Sequence, residues 1–381
     1  MIRVSTKSRG LAAALALTLG CGDVGDGDGE SADAAAIEPG TDAGSTEPGD
    51  GGGPSGAWQW IDVAGAECMN DTPTGMGVRI GADPSKLLIF LEGGGACFNR
   101  FTCSGVAHQN GFGADDFAAG IAERGDAGVF NRADPDNPFA TWTHVFIPYC
   151  TGDIFAGANP DGFEGRNQVG YTNMGHYTDQ LVSMFPDVEV VVLSGSSAGG
   201  FGAAYNYDRV ASAFGDDVEV LLLDDSGPPL GPDYLTPCLQ DIVRTTWNLD
   251  ATLPADCDAC RESGGLSALA PFYATKYPDR RFGIITSTRD GVIRLFVGWG
   301  YPSCDNPKVP MDEAVFAQGV AQLRDEILAP YDNARVFTID SGLHVWLLED
   351  PVGSTSSGGV TLTDWIRGLV AGSGDWGDVV P

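Results

Sequence analysis

Six short apolar runs recur along the chain, at residues 86–92, 144–148, 188–194, 218–224, 281–287 and 335–340. Their apolar residues are continuous rather than alternating, as strands covered on both faces require. Longer stretches with helical potential separate most of them. The pattern predicts an α/β fold with a mostly parallel central sheet and helices on both faces. In such sheets functional side chains gather at the carboxyl ends of strands, so those ends are the places to search.

The first 56 residues do not share this pattern. Arg3, Lys7 and Arg9 precede an apolar run over residues 11–19, and Gly20-Cys21 follows. A basic head, a short apolar stretch and a small residue describe an export signal over residues 1–21, and the stretch is too short to cross a bilayer as a helix. The segment ending in Cys21 resembles a bacterial lipoprotein signal, in which the cysteine becomes the lipidated first residue. Thr18 stands where such signals usually carry Leu, and an ordinary secretory signal is the alternative. Residues 22–56 hold nine acids and no base among Gly, Ala, Ser, Pro and Thr. Such a segment buries too little apolar surface to offset its ordering entropy and is expected to be a disordered tether. The rest, residues 57–381, is expected to form a single domain, exported and tethered to the cell envelope or surface, or otherwise secreted. Membrane contact is expected only through Cys21.

Export changes the meaning of the other cysteines. Cys68, Cys97, Cys103, Cys150, Cys238, Cys257, Cys260 and Cys304 form an even set, for which disulfides are the default in an oxidising compartment. A zinc site built on Cys257 and Cys260 with Cys238 and Cys304 is the rival, weakened because no second CxxC accompanies the first.

Charge narrows the partners. With 52 acids against 21 Lys and Arg, the formal charge is −31. Residues 57–381 keep 18 bases and 43 acids, or −25, so the acidity belongs to the domain itself. No basic stripe interrupts it, which excludes nucleic acid as a natural partner and disfavours highly anionic polysaccharides at low salt.

The third run enters Gly195-Ser196-Ser197-Ala198-Gly199-Gly200, with a helix-compatible stretch after it. Strand, G-x-S-x-G and helix make a nucleophile elbow, whose flanking glycines let strand and helix backbones meet. Ser197 is the candidate nucleophile, and Ser196 faces away from the site in that register. A base must follow the serine with an acid between them. Of the four histidines only His344 qualifies, because His108, His144 and His176 precede Ser197. Asp290, after the fifth run, is favoured as the acid over Asp225, which ends the fourth. The first run leads into Gly93-Gly94-Gly95, like the HGGG-type loop of esterases. The N–H groups of Gly93 and Gly94, with that of Ala198, are candidates for an oxyanion hole.

Three motifs in order then carry a family resemblance: Leu91-Glu92-Gly93-Gly94-Gly95-Ala96-Cys97-Phe98-Asn99 with Cys103, Ile147-Pro148-Tyr149-Cys150-Thr151-Gly152-Asp153, and the elbow. Together they resemble the pectin acetylesterase and Notum family of α/β-hydrolase-like serine carboxylesterases, over roughly residues 58–366. The resemblance implies a secreted esterase with Ser197, Asp290 and His344 as its triad and Gly93, Gly94 and Ala198 at the oxyanion. It implies Cys68–Cys150 and Cys97–Cys103 pairs and leaves the last four cysteines unassigned. An acylated carbohydrate is the implied substrate, its O-acetyl groups being removed through an acyl-enzyme, with a longer-acyl deacylase or a non-catalytic glycan-binding protein as alternatives. No metal or other cofactor is implied, and the chain is expected to act as a monomer. Ala96 stands where many members have Trp, so the wall beside the acyl site is expected to be wider or completed by another aromatic.

Overall fold

A computed structural model describes residues 56–381. The signal, the lipidation cysteine Cys21 and the tether through residue 55 lie outside the described residues.

Each of the six apolar runs is a strand. They are β3 (Asp83–Leu91), β4 (Trp142–Ile147), β5 (Val190–Ser196), β6 (Glu219–Asp225), β7 (Phe282–Ser287) and β8 (Ala334–Ile339). Two more strands, β1 (Gln59–Glu67) and β2 (Pro73–Arg79), extend the sheet at one edge. The order is β1-β2-β4-β3-β5-β6-β7-β8. Pairing is antiparallel for β1 with β2 and β2 with β4, and parallel from β4 through β8. This is the mostly parallel α/β-hydrolase-like sheet that the pattern predicts.

Continuous hydrophobicity in the strands follows from two cores rather than one. Leu87, Ile89 and Leu91 of β3 join one cluster with Val191, Leu193, Val220 and Leu222. The alternate residues Leu88 and Phe90 join a second with Val192, Leu221, Leu223 and Phe337. Helices cover both. The Gly170–Met184 and Ala198–Phe214 helices supply Tyr177, Leu181, Tyr207 and Val210 to the first, and the Leu362–Ala371 helix supplies Trp365, Ile366 and Leu369 to the second.

Chain direction across the sheet reverses at β3, whose neighbours are β4 on one side and β5 on the other. A crevice opens at the carboxyl ends of strands where the winding reverses. The glycine triplet after β3 and the elbow after β5 therefore emerge side by side.

All eight described cysteines are paired, as Cys68–Cys150, Cys97–Cys103, Cys238–Cys304 and Cys257–Cys260. The first two are the pairs that the resemblance implies. The last two replace the rival zinc reading: these four sulfurs are bound to one another in two bridges instead of converging as free thiolates. The bridges agree with export to an oxidising compartment.

Candidate active site

Ser197 sits between the end of β5 and the first turn of the Ala198–Phe214 helix, at φ 59° and ψ −120°. A left-handed φ in a residue other than Gly or Asn is strained and persists only where the surroundings enforce it. Here Ser197 N donates to Asp225 O at 2.7 Å and Ser197 O accepts from Phe201 N at 3.1 Å, which fix the turn on both sides. The elbow glycines are needed for space. A Cβ on Gly199 would strike the Leu91 carbonyl and come within 2.8 Å of Glu92 O. A Cβ on Gly195 would lie 2.7 Å from Leu91 O.

The glycine loop packs directly against Ser197. A Cβ on Gly93 would be 2.6 Å from Ser196 O and 3.0 Å from the Ser197 Cβ. Among the described residues, the N–H groups of Gly93, Gly94 and Ala198 donate to no protein acceptor. Unengaged backbone donors beside a serine hydroxyl are what a developing oxyanion needs. Glu92, just before the loop, anchors it: its carboxylate accepts from Tyr149 N at 3.0 Å and faces His108 Nε2 at 3.1 Å. Burial disfavours the charged His108 ring, but Glu92 more than offsets this and its pKa is raised.

His344 and Asp290 meet as the chain order requires. His344 Nδ1 lies 2.7 Å from Asp290 Oδ2. Asp290 is fully buried, and its other oxygen accepts from the N–H groups of Val292 and Ile293, both at 2.9 Å. Those bonds hold the carboxylate so that Oδ2 alone faces the ring. With Nδ1–H donating to Asp290, Nε2 carries the lone pair. Nε2 is buried and has no hydrogen-bond partner among the described residues, so it is free to accept a proton.

Asp225, the alternative acid, does something else. Its Oδ2 accepts from the Ser196 hydroxyl at 2.8 Å and from the N–H groups of Trp346 and Leu347 at 2.8 and 2.9 Å. Its Oδ1 accepts from the Ser226 hydroxyl, and Ser226 Oγ accepts in turn from Val345 N. The residue is a bracket between the elbow and the segment that carries His344. Burial raises its pKa and these hydrogen bonds oppose the rise. Ser196 is accordingly structural, facing away from the site. An adjacent acid pair at the end of the strand beside the elbow reads as a cap for backbone donors, which Asp225 is, but does not say which segment it holds.

A cavity of about 160 Å³ adjoins Ser197, walled by carbon-rich side chains that include Phe98, Phe201, Leu222, Phe296 and Ala96. Phe98 and Phe296 are among the aromatics that line the cavity together with Ala96.

A family model described as pectinacetylesterase matches residues 59–274, more than half of the chain. Palmitoleoyl-protein carboxylesterase notum2 of Xenopus laevis is 32% identical over 173 residues, 42% of this chain and 34% of that protein. Pectin acetylesterase 5 of Arabidopsis thaliana is 28% identical over 194 residues, 49% of this chain and 45% of that protein. The match thus spans about a third to just under a half of these relatives. The solved structure of the Wnt deacylase Notum from Drosophila superposes with a TM-score of 0.62 at 18% identity, covering 84% of this chain and 95% of that one, which shows the shared fold. By its motifs, its sheet and the family model, this chain belongs to the pectin acetylesterase family.

Proposed function

We propose that the chain is a serine carboxylesterase that removes O-acetyl groups from a polysaccharide, with Ser197, His344 and Asp290 as its triad. The observations that carry this reading are the His344–Asp290 hydrogen bond and a strained elbow serine packed against an unengaged glycine loop. His344 Nε2 takes the proton of Ser197 Oγ as that oxygen attacks the ester carbonyl. The carbonyl oxygen becomes an oxyanion held by the N–H groups of Gly93, Gly94 and Ala198. The intermediate collapses, the carbon–oxygen bond to the sugar breaks, and His344 returns the proton to the departing hydroxyl. Water, deprotonated by His344, then releases the acid and restores Ser197. Asp290 holds the ring and stabilises its charged form.

Acetate release from a panel of acetylated polysaccharides tests the reading. Wild type is expected to release acetate and Ser197→Ala to release none. A Ser197→Ala protein of equal activity overturns the assignment. With −25 on residues 57–381, neutral glycans or methyl-esterified pectin are favoured over polygalacturonate, whose repulsion should fade as salt rises.

A second reading rests on the cavity. An acetyl methyl needs almost none of that apolar space, so an ester of a longer acyl chain fits the wall better. A chain-length series of p-nitrophenyl esters separates the two, by preference for acetate or for longer chains. The export and anchoring of the enzyme as a monomer through lipidated Cys21 completes the proposal, and Cys21→Ser should move it from the detergent phase to the aqueous phase.

A further inference from the structure

The proposed mechanism leaves a second histidine without a part, and this one grips the glycine loop. After Gly93-Gly94-Gly95 the chain turns through the Arg100–Ser104 helix and is closed on itself by the Cys97–Cys103 bridge. It then returns to the triplet at Ala107 and His108. Two ties result. Ala107 N donates to Gly94 O at 2.9 Å, and His108 Nε2 lies 3.1 and 3.2 Å from the two carboxylate oxygens of Glu92. An ionised carboxylate only accepts, so the ring carries a proton on Nε2 and donates it. The return is close: a Cβ on Gly94 would lie 2.6 Å from the Ala107 Cβ.

The returning segment is itself fixed. His108 sits at φ 53°, a region that His and Asn enter more readily than most residues, and its carbonyl accepts from Gly111 N at 3.0 Å. Its ring meets the Phe112 ring at 4.5 Å between centroids. Phe112 O accepts from the Thr74 hydroxyl of β2 at 2.8 Å, and the Phe112 side chain packs with the Cys68–Cys150 bridge. His108 thus joins the glycine loop to the antiparallel edge of the sheet. The His108 and Glu92 side chains are 30% and 24% exposed, and a pair so open to water adds little to folding stability. Its effect belongs to geometry. The N–H groups of Gly93 and Gly94 lie on the stretch of backbone between the two ties, and glycine, lacking a Cβ, does little to fix its own φ and ψ.

We infer that His108 is a positioning residue for the oxyanion hole. By holding Glu92 on one side of Gly93 while Ala107 N holds Gly94 O on the other, it sets the direction of the Gly93 and Gly94 N–H groups. The inference rests on the esterase reading and adds to it a residue that touches neither substrate nor Ser197. Oxyanion donors act on the oxygen of the tetrahedral state rather than on the ground-state carbonyl, so misdirecting them lowers kcat and leaves KM nearly unchanged.

His108→Asn tests it, because Asn accepts the positive φ but is too short to reach Glu92; His108→Ala serves if that protein does not fold. The substrate is whichever p-nitrophenyl ester, acetate or hexanoate, wild type turns over faster. The variant should melt with wild type, lose about tenfold or more in kcat and keep KM within about threefold. His108→Gln, whose amide can donate to Glu92, should restore kcat to within severalfold of wild type. Methylboronic acid, or pentylboronic acid for hexanoate, adds a serine oxygen to boron and gives a tetrahedral anion. Its affinity should fall with kcat in His108→Asn and return in His108→Gln. Unchanged kcat in a folded His108→Asn protein, or a fall in kcat with boronate affinity intact, overturns the inference and leaves the esterase reading standing. So does a loss that His108→Gln does not repair. Wild type that turns over neither ester overturns the esterase reading and this inference with it.

Discussion

Asp225 accepts the backbone N–H of Trp346 at 2.8 Å, across 121 residues of sequence. The same oxygen holds Ser196, next to Ser197, and Trp346 is two residues beyond His344. One carboxylate thus ties the strand end that precedes Ser197 to the loop that carries His344, the proposed base.

Asp225→Ala should therefore damage both fold and rate. It leaves the N–H groups of Trp346 and Leu347 buried without acceptors, a loss of about 2–4 kcal/mol. Urea unfolding checks the stability. In the surviving folded protein, kcat should fall with KM little changed, because the acyl site is intact and only the base is displaced. Asp225→Asn keeps an acceptor oxygen and should lie between the two.

Asp290→Asn should leave the fold intact and remove most of the rate. The amide oxygen can still accept from Val292 and Ile293, which turns its NH₂ toward His344 Nδ1. Nδ1 must then accept, the ring proton moves to Nε2, and Nε2 can no longer deprotonate Ser197. A drop in kcat of roughly 10⁴-fold is expected, as for other triads with this change. Steady-state kinetics with a matching thermal melt checks it. An Asp225→Asn protein that lost as much rate while Asp290→Asn kept its own would reverse the two roles.

Ala96→Trp tests what the cavity is for. The side chain at residue 96 lines the wall next to the glycine loop, and indole would fill space that Phe98 and Phe296 only border. Esters of six or more carbons should lose at least about tenfold in kcat/KM while acetate is retained. A chain-length profile read before and after the change is the measurement. Equal loss across the series would mean that indole disturbs the oxyanion loop and not the acyl space.

Much of this site was legible from particular residues. The elbow, the glycine triplet and the only histidine after Ser197 each mark a strand end, and the six apolar runs are strands because both their faces are buried. What stayed hidden depends on contacts across the sheet. β2 holds Gly75 and Gly77, which weaken any strand signal. They are there because a Cβ on Gly75 would strike the Ile61 carbonyl and one on Gly77 the Phe117 ring. β1 carries Gly65 and mostly exposed or half-buried positions, so its apolar run is broken. Position along the chain favours Asp290 over Asp225, but the partners that separate them, Val292, Ile293 and His344 for one and Trp346 and Leu347 for the other, are seen only in the fold. The cavity draws its wall from residues between 95 and 334, too dispersed to read as one surface.

Acid should weaken the fold through His144. The ring is fully buried on β4 and donates from Nε2 to Phe139 O at 2.8 Å, with Nδ1 unpartnered among the described residues. Burial lowers its pKa from 6.5 to about 4, with Arg132 and Arg79 adding and the Phe139 carbonyl opposing. A histidine with a depressed folded pKa favours the native state above its unfolded value. Between pH 6.5 and about 4 the unfolded chain takes up the proton first, so this contribution declines by about 1.4 kcal/mol per pH unit. His144→Gln can keep the bond to Phe139 but has nothing to protonate. Urea midpoints for the two proteins should therefore run parallel above pH 7 and close on each other as pH falls to 4, with wild type losing more. Parallel lines throughout would show that His144 is protonated as readily in the folded chain as in the unfolded one.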